Sequence, residues 1–457
     1  MKIIILGGNQ VGGALAEQLE KEGNDITVVD INAERLRNLS NRLDISTVTG
    51  PASYPSVLRK AGAENADMLI AVTESDEVNI VACQVAYSLF NTPSKIARLR
   101  ASEYLVRKEL FSHENIPIDV CISPERLITQ SVIRLIEHPG TLQVVDFAQG
   151  KVRMISLLAR TEGILIDKTL EEIPQFFNGD IMRIVEIHRN NRSIILNGKT
   201  RIAVNDEVFF IADKQHANYI LEAFGLPQTP YKRIMIAGGG NIGYRLAESL
   251  EARYQVKLLE SDNKRAEHIA NELSNTIVLR ANASDKALLI DENIENMDVF
   301  CAVTNDDETN IMSCLQAKKL GAKQTMALIT KTAYADLIED SGIDIAISPQ
   351  HATIGSILRH IRRGDVVNVH SLRRGAAEAI EVVAHGDEKT SKIVGKMISE
   401  IKLPTGANIS AIVRDKQTLI CHYDTVIEAN DHLLLFIPDK KHTHAIEKLF
   451  QVSATFL

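Results

Sequence analysis

Two glycine-rich turns of one design stand far apart in this chain. Gly7, Gly8, Asn9, Gln10, Val11 and Gly12 follow an apolar run, and Gly238, Gly239, Gly240, Asn241, Ile242 and Gly243 do so again; Gly238 minus Gly7 and Gly243 minus Gly12 both give 231. In the second copy, Gly238-x-Gly240-x-x-Gly243 lies between a strand-like and a helix-like segment, the setting of a dinucleotide fingerprint. The first glycine makes the tight turn, the second lets the backbone meet a pyrophosphate, and the third lets helix pack on strand. The helix N-terminus supplies anion-binding amides. In the first copy Asn9 replaces the second glycine. A side chain is expected to project where phosphate should approach, with the turn kept by the tolerance of Asn for positive φ.

Other residues join these turns by spacing. Asp30 and Glu260 end the next apolar run of each half, 23 residues after Gly7 and 22 after Gly238, where a carboxylate accepts hydrogen bonds from ribose hydroxyls. Gly50-Pro51-Ala52-Ser53 and Ala281-Asn282-Ala283-Ser284 follow the third strand-like run and are candidate adenine contacts. Thr73, Glu74 and Thr304 fall at the end of the fourth. Arg98, a charge amid apolar neighbours, needs either a ligand phosphate or a nearby carboxylate, and its second-half counterpart is Leu328. The two sites therefore cannot answer phosphate charge identically. Asp76-Glu77 and Asp307-Glu308 stand just ahead of an expected helix and suit its dipole.

The elements that must position these residues repeat as well. Val72 to Ile80 and Val303 to Ile311 are again offset by 231. Apolar runs Ile3 to Leu6, Ile26 to Val29, Ile45 to Val48, Met68 to Val72 and Ile96 to Leu99 alternate with amphipathic stretches Ala14 to Lys21, Glu34 to Leu43, Ser56 to Ala61 and Asn79 to Leu89. The pattern returns from Arg233. Such alternation predicts an α/β fold with two Rossmann-like, doubly wound parallel sheets. Between and after them come short strand-like runs broken by glycines: Leu142 to Val145, Met154 to Leu158, Ile181 to Ile187, Ser193 to Leu196 and Glu207 to Ile211. These read as small α+β domains, with Val204-Asn205-Asp206 answered by Ala429-Asn430-Asp431 at an offset of 225. The expected division is 1–135, 140–226, 232–360 and 366–453, with a linker at Leu226-Pro227-Gln228-Thr229-Pro230.

Composition narrows the function. The 457 residues exceed a single core of about 250 to 300 residues. A formal net charge of -8, no Trp and 5% aromatics argue against nucleic acid as a partner. No signal peptide and no 18-residue apolar run is present, so a cytoplasmic chain is expected. Five cysteines without C-x-x-C spacing disfavour disulfides and zinc. Cys83 and Cys314 read as core residues, and His442 and His444 lack partners at ligand spacing, so no metal is expected.

Two further segments carry a more specific likeness, Ala82-Cys83-Gln84-Val85-Ala86-Tyr87-Ser88-Leu89-Phe90-Asn91-Thr92-Pro93 and His370-Ser371-Leu372-Arg373-Arg374-Gly375-Ala376-Ala377-Glu378-Ala379-Ile380. With the repeated turns, the chain resembles over its full length the TrkA family of regulatory subunits of bacterial Trk potassium uptake systems. The resemblance implies two regulator-of-potassium-conductance (RCK) units, each a Rossmann-like part followed by a smaller RCK C-terminal domain. It implies binding of NAD(H) and of ATP or ADP, docking as a peripheral protein on the cytoplasmic face of the inner membrane against a membrane-embedded Trk subunit, and a homotetrameric gating ring. It places the first site at Gly7 to Gly12, Asp30, Thr73, Glu74 and Arg98, and the second at Gly238 to Gly243 and Glu260.

Two sites on one polypeptide suggest sensing more than turnover. The competing class is an NAD-dependent oxidoreductase, which needs an acid or base held near a nicotinamide; the small domains offer no clear candidate. A purely structural scaffold is the third class, and Asp30 and Glu260 make it less attractive.

Overall fold

A computed structural model describes the chain except residues 178, 227–228, 332, 335–340, 362–365, 416 and 451–457. By its contacts the chain forms two compact units, one of Met1–Leu127 with Gln350–Arg362 and one of Ile128–Pro349 with Arg363–Leu457. The expected linker falls partly on 227–228, outside the described residues.

The first unit is built on strands β1 (Lys2–Leu6), β2 (Asp25–Asp30), β3 (Ser46–Thr49), β4 (Met68–Ala71), β5 (Ser94–Arg98) and β6 (Val120–Ile122). Their order is β3-β2-β1-β4-β5-β6, and all pairs are parallel. Ile3, Ile4, Ile5 and Leu6 are all buried, because a parallel sheet is covered on both faces and its central strand must be apolar throughout. Helices α1 (Gln10–Lys21), α2 (Ala33–Ser40), α3 (Pro55–Lys60) and α4 (Asp76–Phe90) return the chain between strands, α5 (Ser102–Val106) follows β5, and α6 (Pro124–Glu137) leaves β6. Reversal of strand order beside β1 makes a crevice at the carboxyl ends of β1 and β4, where such folds bind ligands.

The second unit repeats the sheet with β12 (Arg233–Ala237), β13 (Gln255–Glu260), β14 (Ile277–Arg280), β15 (Val299–Ala302), β16 (Gln324–Leu328) and β17 (Ile345–Ile347), in the order β14-β13-β12-β15-β16-β17. Its helices include α8 (Asn241–Leu250), α9 (Asn263–Glu272), α10 (Lys286–Asp291) and α11 (Asp307–Lys319). One helix departs from the expected division. The expected division puts α12 (Pro349–Ile361) in the second Rossmann-like domain, yet Ile354, Ile357, Leu358 and Ile361 join Ile3, Ile5, Leu15, Leu19 and Ile26 in the core of the first unit. Sequence order conceals this because an amphipathic helix shows which face it buries but not against which sheet.

The second unit also holds two small antiparallel sheets. Strands β7 (Thr141–Phe147), β8 (Val152–Leu158), β9 (Met182–Arg189), β10 (Arg192–Ser193) and β11 (Glu207–Asp213), followed by α7 (Ala217–Ala223), form one. Strands β18 (Val366–Leu372), β19 (Ala377–Val383), β20 (Asn408–Arg414), β21 (Gln417–Ile420) and β22 (His432–Ile437), followed by α13 (Thr443–Phe450), form the other. The run expected as a strand to Leu196 stops at Ser193, and Ile195 beyond it is exposed. Phe147, Met154, Phe209 and Ile211 share a single core with Leu372, Ala379, Leu434 and Phe436, so each sheet buries its apolar face against the other. The Asn-Asp repeat has a matching cause: Asn205 and Asn430 take positive φ, and the buried Asp206 and Asp431 hold Arg189 and Arg414.

Candidate functional site

Each turn is fixed by backbone geometry before any side chain acts. Gly7 and Gly238 both take φ +105, which an L side chain adopts only at a cost. A Cβ on Gly12 would lie 1.8 Å from the Gly7 carbonyl oxygen, and one on Gly243 would lie 1.8 Å from that of Gly238. The third glycine of each motif is thus demanded by backbone-to-backbone contact, as expected of a fingerprint turn.

The carboxylates reach the turns. Asp30 Oδ2 accepts from the N–H of Gly8 at 2.6 Å and Oδ1 from that of Asn32 at 2.8 Å. Glu260 Oε2 accepts from Gly239 N–H at 2.8 Å and Oε1 from Asp262 N–H at 2.8 Å. A carboxylate offers about four lone-pair sites, so both acids keep acceptor capacity for a ribose.

The two turns differ at their second position, and for a different reason than the sequence suggested. Asn9 sits at φ -70, so no positive φ is involved. Its side chain folds back as an N-cap: Oδ1 accepts from Val11 and Gly12 N–H, both at 3.1 Å, and Nδ2 donates to the Val72 carbonyl at 2.9 Å. The donors that would meet a phosphate are already engaged. Gly240 provides no side-chain cap to α8, and a Cβ there would meet no heavy atom within 4 Å. Gln10 and Asn241, which open the two helices, are exposed, and Ile242 is half-buried in the first turn of α8.

Beyond the fourth strands a shared clamp appears that the sequence reading missed. Asn79, fully buried, accepts from Thr73 N–H at 3.0 Å and Thr73 Oγ1 at 2.7 Å, and donates to the carbonyls of Thr73 and Arg98. Asn310 does the same for Thr304 and Leu328. The signal was present in the repeated Thr-x5-Asn spacing, but no role followed from it. Asp76 and Asp307, expected just ahead of a helix where they suit its dipole, stand among the acids of its first turn. They lie inside the first turns of α4 and α11, behind the caps Ser75 and Asp306, and Asp76 accepts from Arg100 and Ala101 N–H while Asp307 holds Thr330 and Lys331.

Arg98, at the end of β5, is 9% exposed. Its Nη2 donates to the Thr73 carbonyl at 2.8 Å, its Nε has no partner, and no carboxylate among the described residues forms an ion pair with it. Burial, and then the nearby Arg100, lower its pKa. A buried guanidinium with spare donors at the crevice is suited to an anion. Glu74 is exposed beside it. In the second unit Asn282 makes a local turn, accepting from Ser284 N–H and Oγ, and among the described residues no hydrogen bond ties it to the glycine turn. Hydrogen bonds from Tyr334 and then Lys331 hold Glu308 down to about 2. Burial pushes the Cys83 and Cys314 thiols up, which fits inert core residues.

Fold and turns together define a duplicated Rossmann-like protein with appended antiparallel domains, and the comparisons agree. The TrkA-N domain model matches residues 3–124 and 234–349, and the TrkA-C domain model matches 155–225 and 387–451. The chain is 54% identical to a protein of Halomonas elongata and 53% identical to one of Vibrio alginolyticus, in each case over 100% of both chains; both are named Trk system potassium uptake protein TrkA. In fold it resembles the GsuK channel bound to NAD, with a TM-score of 0.60 at 19% identity over 98% of this chain and 78% of that one. It is equally similar to the GsuK RCK domain, with a TM-score of 0.60 at 18% identity over 98% and 94%. The chain belongs to the TrkA family of Trk potassium uptake proteins. No helix among its described residues is long and apolar enough to cross a membrane.

Proposed function

We propose that this chain is the nucleotide-binding regulatory subunit of a Trk potassium uptake system, with NAD(H) and ATP or ADP binding at the two glycine turns. The observation that carries the reading is the pair of turns in which a strand-end carboxylate grips the backbone, Asp30 on Gly8 and Glu260 on Gly239. The buried donors of Arg98 and the uncapped N-terminus of α8 support anion binding at the first and second turn respectively.

The membrane-embedded Trk subunit is the partner, approached from the cytoplasmic face, and the chain works as a homotetramer so that eight Rossmann-like parts form a ring. Nucleotide acts by favouring one arrangement of this ring. A ligand shifts such an equilibrium only by its difference in affinity for the two states, and moving it from 1:99 to 99:1 takes about 5.5 kcal/mol, which repeated sites share. Hydride transfer has no support in the relatives, whose names refer to potassium uptake.

Potassium flux through the reconstituted partner, measured with the purified chain and each nucleotide in turn, tests the proposal. Flux that changes with nucleotide is expected. Flux identical with and without every adenine nucleotide would overturn it.

A further inference from the structure

The two turns are unequal in a second way. Asn32 Oδ1 accepts from Arg35 N–H and Asp262 Oδ1 accepts from Arg265 N–H, so Arg35 and Arg265 are structural counterparts at the start of the second helix of each Rossmann-like part. Arg35 is exposed, whereas Arg265 is half-buried with its Nε donating to the Gly239 carbonyl at 2.9 Å. Its guanidinium also lies over the Tyr244 ring, 5.7 Å from the centroid. In the first repeat the residue answering Tyr244 is Gly13, which offers no ring.

Nε is committed to the Gly239 carbonyl, which leaves the Nη donors of Arg265 for a ligand, and the turn is open at Gly240, where a Cβ would meet no heavy atom within 4 Å. That is the position at which a pyrophosphate meets the turn. The second site also lacks the strand-borne arginine of the first, because Leu328 stands where Arg98 does. We propose that Arg265 is the phosphate-reading residue of the second nucleotide site, delivered by α9 and braced by Tyr244. The inference rests on nucleotide binding at that site and adds its selectivity: ligands with two linked phosphates are preferred to those with one. A planar fork held at one nitrogen and stacked on a ring loses little freedom when its other donors engage a phosphate.

Amide hydrogen exchange on the full chain tests this, following the segments that contain Gly239 to Gly243 and Gly8 to Gly12 while AMP or ADP is titrated. In the native chain ADP should protect the second turn at roughly tenfold lower concentration than AMP, or better, as a charge-assisted contact permits. Arg265→Gln should bring the two ligands close to parity there and leave the first turn's titration unchanged. Arg265→Lys should restore only part of the preference, and Tyr244→Leu should weaken it while leaving the charge in place. An Arg265→Gln chain that keeps the full ADP preference at the second turn would overturn the assignment while leaving nucleotide binding intact. A native chain in which neither ligand protects the second turn would remove the nucleotide reading itself, and this inference with it.

Discussion

Asn9 and Gly240 share a backbone conformation, φ -70 and ψ -175 for one and φ -64 and ψ -171 for the other. They differ only in what the side chain does. Asn9 seals the N-terminus of α1 with two hydrogen bonds from helix amides, and Gly240 leaves that of α8 uncapped. Two copies of one turn thus present different surfaces to an anion.

Exchanging these residues should exchange that property. Asn9→Gly frees the Val11 and Gly12 amides, and calorimetry should show tighter nucleotide binding at the first turn at a stability cost of about 1 kcal/mol or less. Gly240→Asn should weaken binding at the second. Unchanged affinities in both variants would show that the cap does not compete with ligand.

Gly12→Ala and Gly243→Ala place a Cβ 1.8 Å from a carbonyl oxygen. Strand and helix must separate to admit it, and a loss of roughly 3 kcal/mol or more is expected at either position. Thermal melts would reveal it. A Tm within a degree or so of the native chain would mean the close approach is not real.

Arg98→Leu, which installs the residue found at Leu328, removes a guanidinium whose burial is only partly offset by its bond to the Thr73 carbonyl. Stability should hold or rise, while ADP binding at the first turn falls by about tenfold or more. A large drop in Tm with unaltered affinity would assign Arg98 a structural role instead.

At the end of α6 the buried His138 joins helix to sheet. Its Nδ1 lies 2.8 Å from the Arg134 carbonyl and must carry the proton, so Nε2, 2.6 Å from Arg153 Nη1, accepts. Burial, and then the Arg153 charge against a backbone bond that works the other way, lower its pKa below the usual value near 6.5. Asp146, bonded to Arg153, and Glu137 are the acids nearby. Because the opened junction takes up a proton before the closed one, the stabilisation is complete above about pH 6.5 and declines as pH falls through the folded value. Exchange of amides near Thr141, corrected for its intrinsic pH dependence, should quicken below that point in the native chain and lose this dependence in His138→Gln. Parallel profiles for the two chains would refute the linkage.

Much of this was legible in the residues. Ile3 to Leu6 announced a strand buried on both faces, and Gly12 announced a helix lying on it, because both signals are local. Spacing alone placed Asp30 and Glu260 at strand ends near the turns, though not their grip on the Gly8 and Gly239 amides. The contribution of Arg265 did not, since it depends on a ring one helix away and its counterpart Arg35 is exposed. The destination of α12 was hidden for a related reason: Ile354 and Ile357 specify an apolar face, and only tertiary packing decides which sheet receives it. Asn9 departs from the expectation because its side chain folds back to cap α1 at φ -70, a choice of hydrogen-bond partner that residue type alone does not fix.

Titration calorimetry of the full chain with ADP bears most directly on the central claim that both turns bind adenine nucleotides. The account predicts two binding events per chain, one lost in an Asp30→Ala chain and the other in the matching Glu260→Ala chain. Absence of any binding heat, together with unprotected amides at both turns, would contradict it.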